Sequence, residues 1–257
     1  MAKIALVTGA SSGIGEEFAR QLDAQPDVDE IWLVARDEAK LQEVAKSLAT
    51  PSVAIPADLT SAEDIASIKS ALADDGLEVS WLVNSAGFGK IGAWDAITDE
   101  AEETMIDLNC RTVVTLTRAC LPHMSQGSKI VQIASVAAFM PVPEMNVYAA
   151  TKAFVLHYSR ALRWEVRSKG IEVMALCPAW VKTGFQKTAR ATKDGDAVKH
   201  TDLFAQTPQT VVARAIAAAK RGSAVCCAGA VSATVRILAK ELPSSVMMAA
   251  WNAVRKM

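Results

Sequence analysis

The sequence predicts an α/β domain built on a doubly wound, seven-stranded parallel sheet, and three observations lead there. Seven short apolar runs alternate with amphipathic helical stretches along most of the chain, the pattern of repeated strand–helix–strand units. No low-complexity linker or internal repeat interrupts them, and 257 residues at 51% hydrophobic and 21% charged composition can bury the core of a single domain. A glycine-rich turn directly follows the first run, where open α/β sheets place their ligands.

In order, the strands are expected at Lys3–Thr8, Glu30–Ala35, Ser52–Ala57, Val79–Asn84, Lys129–Ala134, Ile171–Leu176 and Ala224–Ala228. A long helix is expected from about Asp99 to Met124, and another around Tyr148. Residues 1–230 form the main body. Residues 231–257 read as an extension of the same domain: Val231, Val235, Leu238 and Leu242 follow one helical stripe, and Met247, Trp251 and Val254 follow another after Ser244-Ser245. Two short amphipathic helices result. Their basic rim (Arg236, Lys240, Arg255, Lys256) permits peripheral contact with an anionic membrane, but a stripe facing a partner or the core is the commoner explanation.

Bulk properties exclude several classes. Net charge is −1, although residues 186–257 hold 11 basic and 4 acidic side chains. No basic-aromatic module appears, which argues against nucleic acid. The five cysteines (Cys110, Cys120, Cys177, Cys226, Cys227) lack metal-type spacing, and their odd number fits a reducing cytoplasm. The chain enters a strand without a charged-then-apolar leader, which argues against secretion. No uncharged run is longer than Gly222 to Val235, which is too short to span a bilayer. Three dispersed histidines give no reason to expect a metal.

The chemistry-bearing residues fall at strand ends. In Val7-Thr8-Gly9-Ala10-Ser11-Ser12-Gly13-Ile14-Gly15, Gly9, Gly13 and Gly15 permit a tight reversal and close backbone approach. A helix then begins with free N–H groups facing an anion. With Ser11, Ser12 and Ile14, this is a pyrophosphate seat; the alternative is a glycine turn that only eases strand into helix. The second strand ends Val34-Ala35-Arg36-Asp37. Ala35 stands where an acid would hold a ribose 2′-hydroxyl, and Arg36 offers a planar fork suited to a 2′-phosphate. NADP(H) is therefore favoured. NAD(H) is the alternative, with Arg36 a solvated neighbour of an Asp37 helix cap.

Tyr148 and Lys152 are four residues apart in a helix-prone segment and so share a face. An adjacent cation favours the phenolate, drawing a pKa near ~10 toward the working range. Ser135 ends the fifth apolar run. Taken alone, the pair also reads as an exposed tyrosine beside a solvated lysine.

The Thr-Gly-x-x-x-Gly-x-Gly turn and the Tyr-x-x-x-Lys pair together resemble the short-chain dehydrogenase/reductase family, over nearly the whole chain to about Ala230. The resemblance implies a Rossmann-like sheet of order 3-2-1-4-5-6-7 and an Asn109, Ser135, Tyr148, Lys152 tetrad. It implies that Asp58 and Leu59 meet the adenine, with helix capping by Asp58 or Thr60 as the local alternative. Asn84 would stabilise the central strands and, with Ala86 and Gly87, border the cofactor, Gly87 letting the backbone lie along it; Ser85 replaces the family's second asparagine. Asn109 would open its helix and hold a water linking Lys152 to solvent, the alternative being an exposed polar residue. Pro178, Val181 and Thr183 would meet the nicotinamide. Ala179 replaces the family glycine there, so a positive φ would cost energy and an altered turn is expected. Residues Gly184 to Thr207, including Lys193-Asp194-Gly195-Asp196 between Phe185 and Phe204, fall where the family places its substrate lid.

The activity so implied is reversible hydride transfer between a nicotinamide and a carbonyl or secondary alcohol. Tyr148 would exchange the proton, Ser135 hold the oxygen, and Lys152 lower the tyrosine pKa and bind the ribose together with Tyr148. Trp94, Phe139, Met140, Pro141, Met145, Trp180 and Phe185 point to an apolar, hydroxysteroid-like or fatty substrate, or are core packing. A 3-oxoacyl thioester is the enzymatic alternative, and a non-catalytic NADP-binding sensor or scaffold the alternative of another class. A homodimer or homotetramer packed through the two long helices is also implied.

Overall fold

The computed structural model describes residues 1–23, 25–73, 76–192 and 205–256. Strands β1 (Ala2–Thr8), β2 (Glu30–Ala35), β3 (Ser52–Pro56), β4 (Leu77–Asn84), β5 (Lys129–Ile133), β6 (Glu172–Leu176) and β7 (Val225–Cys226) form one sheet. Its order is β3-β2-β1-β4-β5-β6-β7, with every pairing parallel. Side chains alternate across it. Ala5, Val7, Leu33, Trp81 and Val83 pack on one face, and Ile4, Leu6, Val34, Leu82 and Ile130 on the other. Burial on both faces explains why these strands read as continuous apolar runs.

Helices α1 (Gly13–Leu22) and α8 (Pro208–Lys220) cover the first face, with α2 (Glu38–Lys46) beside them. Helices α3 (Ala62–Leu72), α5 (Thr112–Cys120) and α6 (Asn146–Val166) cover the second. Asp37 caps α2 by accepting from Lys40 N at 3.1 Å, as expected. The cap of α3 is a correction: Ser61, not Asp58 or Thr60, accepts from Asp64 N. Asp58 instead accepts from the N–H and hydroxyl of Thr60 at 2.9 and 2.7 Å, folding a local turn before the helix.

The long helix expected at Asp99–Met124 is interrupted. Helix α4 (Asp99–Ile106) passes through a π turn at Asp107–Arg111 into α5, and a 3₁₀ turn at Leu121–His123 ends the run. The widened turn surrounds Asn109, so the expected local opening is present. Strand β7 is shorter than Ala224–Ala228. Gln206 Nε2 and Arg214 Nη1 each donate to the Ala228 carbonyl at 2.6 Å, so side chains bind the backbone just beyond the ladder.

The C-terminal extension forms two helices, α9 (Ala230–Glu241) and α10 (Ser244–Lys256), broken at Leu242-Pro243. A short helix α7 (Phe185–Ala189) opens the expected lid; Lys193-Asp194-Gly195-Asp196 and Phe204 lie outside the described residues, as do the side chains of Arg255 and Lys256. Among the described residues, no helix is long and apolar enough to cross a membrane.

Register brings the C-terminal ends of the central strands together: Thr8 aligns with Asn84, Asn84 with Gln132, and Ile133 with Leu176. The sheet reverses direction between β1 and β4, so this edge is the topological switch point. A buried polar link holds it. Thr117 Oγ1 accepts from Asn84 Nδ2 at 3.1 Å and Gln132 Nε2 at 2.8 Å, and donates to the Val113 carbonyl at 2.6 Å. Thr117→Val keeps the shape but removes the acceptor; we expect a loss of about 1–3 kcal/mol in stability, measured by urea unfolding.

Candidate active site

The site starts at the turn after β1. Gly9 and Gly13 have φ of 66° and 60°, which side-chain-bearing residues rarely adopt. A Cβ on Gly15 would lie 2.3 Å from the Gly9 carbonyl oxygen, so Gly15 serves close packing within the turn. Ser12 precedes α1 without a side-chain cap, leaving the helix's first N–H groups toward the cavity that Ser11, Ser12, Gly13 and Ile14 line. The hydroxyl of Thr8 accepts from Ser85 N and Ala86 N, both at 3.0 Å, tying this turn to the one after β4. Both contacts use the backbone of the β4 turn, so serine at position 85 preserves them.

One continuous cavity of about 1290 Å³ runs along the strand ends. Its first part is bordered by Arg36, Asp58 and Leu59, then by Ala86 and Gly87, and farther on by Pro178, Val181 and Thr183. The hydroxyl and N–H of Thr60 are the main groups holding the Asp58 carboxyl below its usual pKa, with a smaller pull from Arg36. Asn84 does not border the cavity. Its amide is committed to Thr117 and Gln132, the strand-stabilising role expected of it, and the cofactor contact also expected of it is corrected, since it stands off the cavity.

Ser135, Tyr148 and Lys152 meet in the same cavity. Ser135 begins a 3₁₀ turn (Val136–Phe139), accepting from Ala137 N at 3.2 Å. Tyr148 and Lys152 share one face of α6; Lys152 Nζ donates to the Ile133 carbonyl at 2.8 Å and lies 5.7 Å from the Tyr148 ring centre. Asn109 stands behind them, fully buried. Its Nδ2 donates to the Phe88 carbonyl at 2.9 Å and Thr151 Oγ1 at 3.0 Å, and its Oδ1 accepts from Phe88 N at 3.2 Å. Gly87 fills the gap: a Cβ there would meet Asn109 Oδ1 at 2.7 Å and Lys152 Nζ at 3.5 Å.

The electrostatics correct one expectation. Burial pushes the Tyr148 phenol up to about 12, against an opposing hydrogen bond from Ser135. Burial also pulls Lys152 down from 10.5 to about 8. Desolvation is the largest cause for both groups, and it is the Ser135 hydrogen bond, not Lys152, that favours the phenolate here. At neutral pH the pair is a phenol and an ammonium.

A family model for short chain dehydrogenase matches residues 3–194. The chain belongs to the short-chain dehydrogenase/reductase family. An uncharacterized oxidoreductase of Staphylococcus epidermidis is 35% identical over 206 residues, 76% of this chain and 89% of that protein. Very-long-chain 3-oxoacyl-CoA reductase-B of Danio rerio is 35% identical over 204 residues, 76% of this chain, and the match spans only 64% of that longer protein. Among solved structures, a short-chain dehydrogenase from Sphingobium yanoikuyae in complex with NADPH has a TM-score of 0.78 at 28% identity, covering 96% of this chain and 95% of that one.

The glycine turn, uncapped helix start and elongated cavity of this short-chain dehydrogenase/reductase fit a nicotinamide dinucleotide. Ala179 does not adopt the costly conformation: among the described residues, the non-glycine with positive φ is Glu144, at 63°. The turn after β6 is held instead by Gln206, whose N–H donates to the Trp180 carbonyl and whose carbonyl accepts from Lys182 N, both at 2.9 Å. Of the expected aromatic and apolar lining, Met140, Met145, Trp180 and Phe185 border the cavity. Trp94 is 82% exposed, Phe139 packs beneath α6, and Pro141 is exposed away from it.

Sequence reading overlooked Gly89, although Ala86-Gly87-Phe88-Gly89 repeats glycine at the second position. A Cβ on Gly89 would lie 2.7 Å from Tyr148 Cδ2 and 3.0 Å from Phe185 Cζ. Gly89→Ala should thus lower kcat by about ten-fold or more by displacing the ring, while cofactor binding followed by fluorescence stays within about two-fold. For Lys152, the folded pKa lies below the unfolded one, so between about 8 and 10.5 the unfolded chain holds the extra proton and this residue's contribution to stability rises with pH. Below about 8 the full ionisation penalty remains. Lys152→Met should raise the melting temperature of the cofactor-free protein at pH near ~7, by a few degrees, and the gain should shrink on approaching pH ~10.

Proposed function

We infer that this oxidoreductase interconverts a carbonyl and a secondary alcohol on a hydrophobic substrate, with NADP(H) as the preferred cofactor. The observation that carries the reading is the convergence of Ser135, Tyr148 and Lys152 on the cavity that begins at the glycine turn. NADPH, when bound, supplies the hydride. Ser135 holds the substrate oxygen by its hydroxyl. Tyr148, a neutral phenol at neutral pH, donates the proton that oxygen needs during reduction. Lys152, cationic below about 8, stabilises negative charge developing on the phenolic oxygen and holds the ribose. Asn109 keeps the lysine's surroundings in place through Phe88 and Thr151, and would hold a water that relays protons to Lys152.

Arg36 supports NADP(H): it borders the cavity beside Asp37 and Asp58, and Ala35 stands where an acid would hold a ribose 2′-hydroxyl. Met140, Met145, Trp180 and Phe185 make the reacting end apolar. Similarity to the Danio rerio reductase favours a second reading, a 3-oxoacyl thioester substrate. Five free thiols fit a cytoplasmic setting. Ile106, Phe154 and Trp164, apolar and exposed on α4 and α6, fit a homodimer or homotetramer packed through these helices.

NADPH and NADH oxidation should be followed with steroid ketones, aliphatic ketones and 3-oxoacyl thioesters. Tyr148→Phe is expected to lose roughly 10²–10⁴-fold in kcat with cofactor affinity retained; full turnover in this variant would remove the assignment. Arg36→Ala should raise KM for NADPH about ten-fold and leave NADH nearly unchanged. Equal effects on both cofactors would refute the 2′-phosphate contact.

A further inference from the structure

We propose that the α9–α10 hairpin is the outer half of the substrate site, selecting substrates with a long apolar chain, and that Trp251 is the specificity-determining residue that fixes it over the reacting end. The inference deepens the proposed function and rests on it. Every α9 and α10 residue that borders the cavity is apolar, while Arg236 and Lys240 stand off it. Of these residues Val231 (39%), Leu238 (41%), Val246 (48%) and Val254 (59%) are strongly exposed, as is Leu242 (40%), which borders the cavity at the break between the helices. Apolar side chains gathered on an inner wall and left open to water point to an apolar occupant of that wall.

The wall is continuous with the site of Ser135 and Tyr148. Along α10 it runs from Val246 to Val254, roughly 12 Å at the rise of an α-helix, the reach of an alkyl chain beyond a small ketone. Its orientation favours substrate over a lipid surface, because the stripe faces the cavity. The hairpin meets the reacting end in two places: α9 packs on the Val136–Phe139 turn after Ser135, and α10 is fixed by Trp251. Trp251 Nε1 donates to the Pro143 carbonyl at 3.1 Å, and its ring stacks on Trp180 at 6.4 Å and 18°. It also packs against the cluster containing Met145 and Tyr148. The indole thus spans α10, the loop leading into α6, and the turn after β6.

The test compares kcat/KM for methyl ketones from butanone to dodecanone in the wild type, Trp251→Ala, Trp251→Phe and Val246→Gln, each checked for folding by circular dichroism. Dodecanol binding to the cofactor-free protein is measured by calorimetry alongside. Wild-type kcat/KM should climb roughly two- to four-fold per methylene before levelling, the gain that burial at up to ~0.8 kcal/mol per methylene allows. Trp251→Ala should lower the dodecanone-to-butanone ratio by about ten-fold or more and weaken dodecanol binding, whereas Trp251→Phe, which keeps the stacked ring, should retain most of the ratio. Val246→Gln tests the same wall away from the indole and should also lower the ratio. A flat chain-length profile in the wild type, or an equal loss for both ketones in Trp251→Ala and Val246→Gln, overturns the proposal. If no carbonyl compound gives Tyr148-dependent turnover, the parent reading fails, and dodecanol binding decides this one separately: tight binding weakened by Trp251→Ala supports it, and no binding overturns it.

Discussion

A buried ammonium sets the terms on which this site is built. Lys152 Nζ, held on the Ile133 carbonyl, sits where charge is costly, and its neighbours accommodate it. Gly87 has no side chain in the only direction that would collide with both Lys152 and Asn109. The π turn at Asp107–Arg111 brings Asn109 inward to secure the Phe88 backbone beside it. The phenol on the next turn of α6 shares the same dry surroundings and is kept protonated by them. Stability is given up at this point to keep a cation beside a buried phenol.

The sheet and much of the site were legible because they rest on local patterns. Strands buried on both faces give continuous apolar runs, and a Thr-Gly-x-x-x-Gly-x-Gly turn between strand and helix has few other uses. The four-residue spacing of Tyr148 and Lys152 survives as a shared helical face. Ser135 marks a strand end just as its position indicated. The serine at position 85 changed nothing because its backbone N–H makes the contact with Thr8.

What escaped the sequence depends on distant parts. The altered turn at Ala179 was expected, but not that Gln206, far along the chain, would hydrogen-bond on both sides of it. The cap of α3 passes to Ser61 because Asp58 is already bound to Thr60. The tyrosine's proton affinity reflects total burial, which a four-residue spacing cannot convey. The apolar stripes of α9 and α10 were visible as stripes, but only folding shows that they face the catalytic cavity.

That placement separates two halves of the molecule by origin. The residues bordering the dinucleotide end come from the strand ends of the sheet, where register, polar bridges and tight glycine packing bind each position to several others. The outer wall comes from the last two helices, held by the Trp251 indole and by the packing of α9 on the turn after Ser135. Substitutions there leave the sheet's interlocked edge undisturbed, so a descendant of this chain can acquire a new clientele by revising its C-terminus alone.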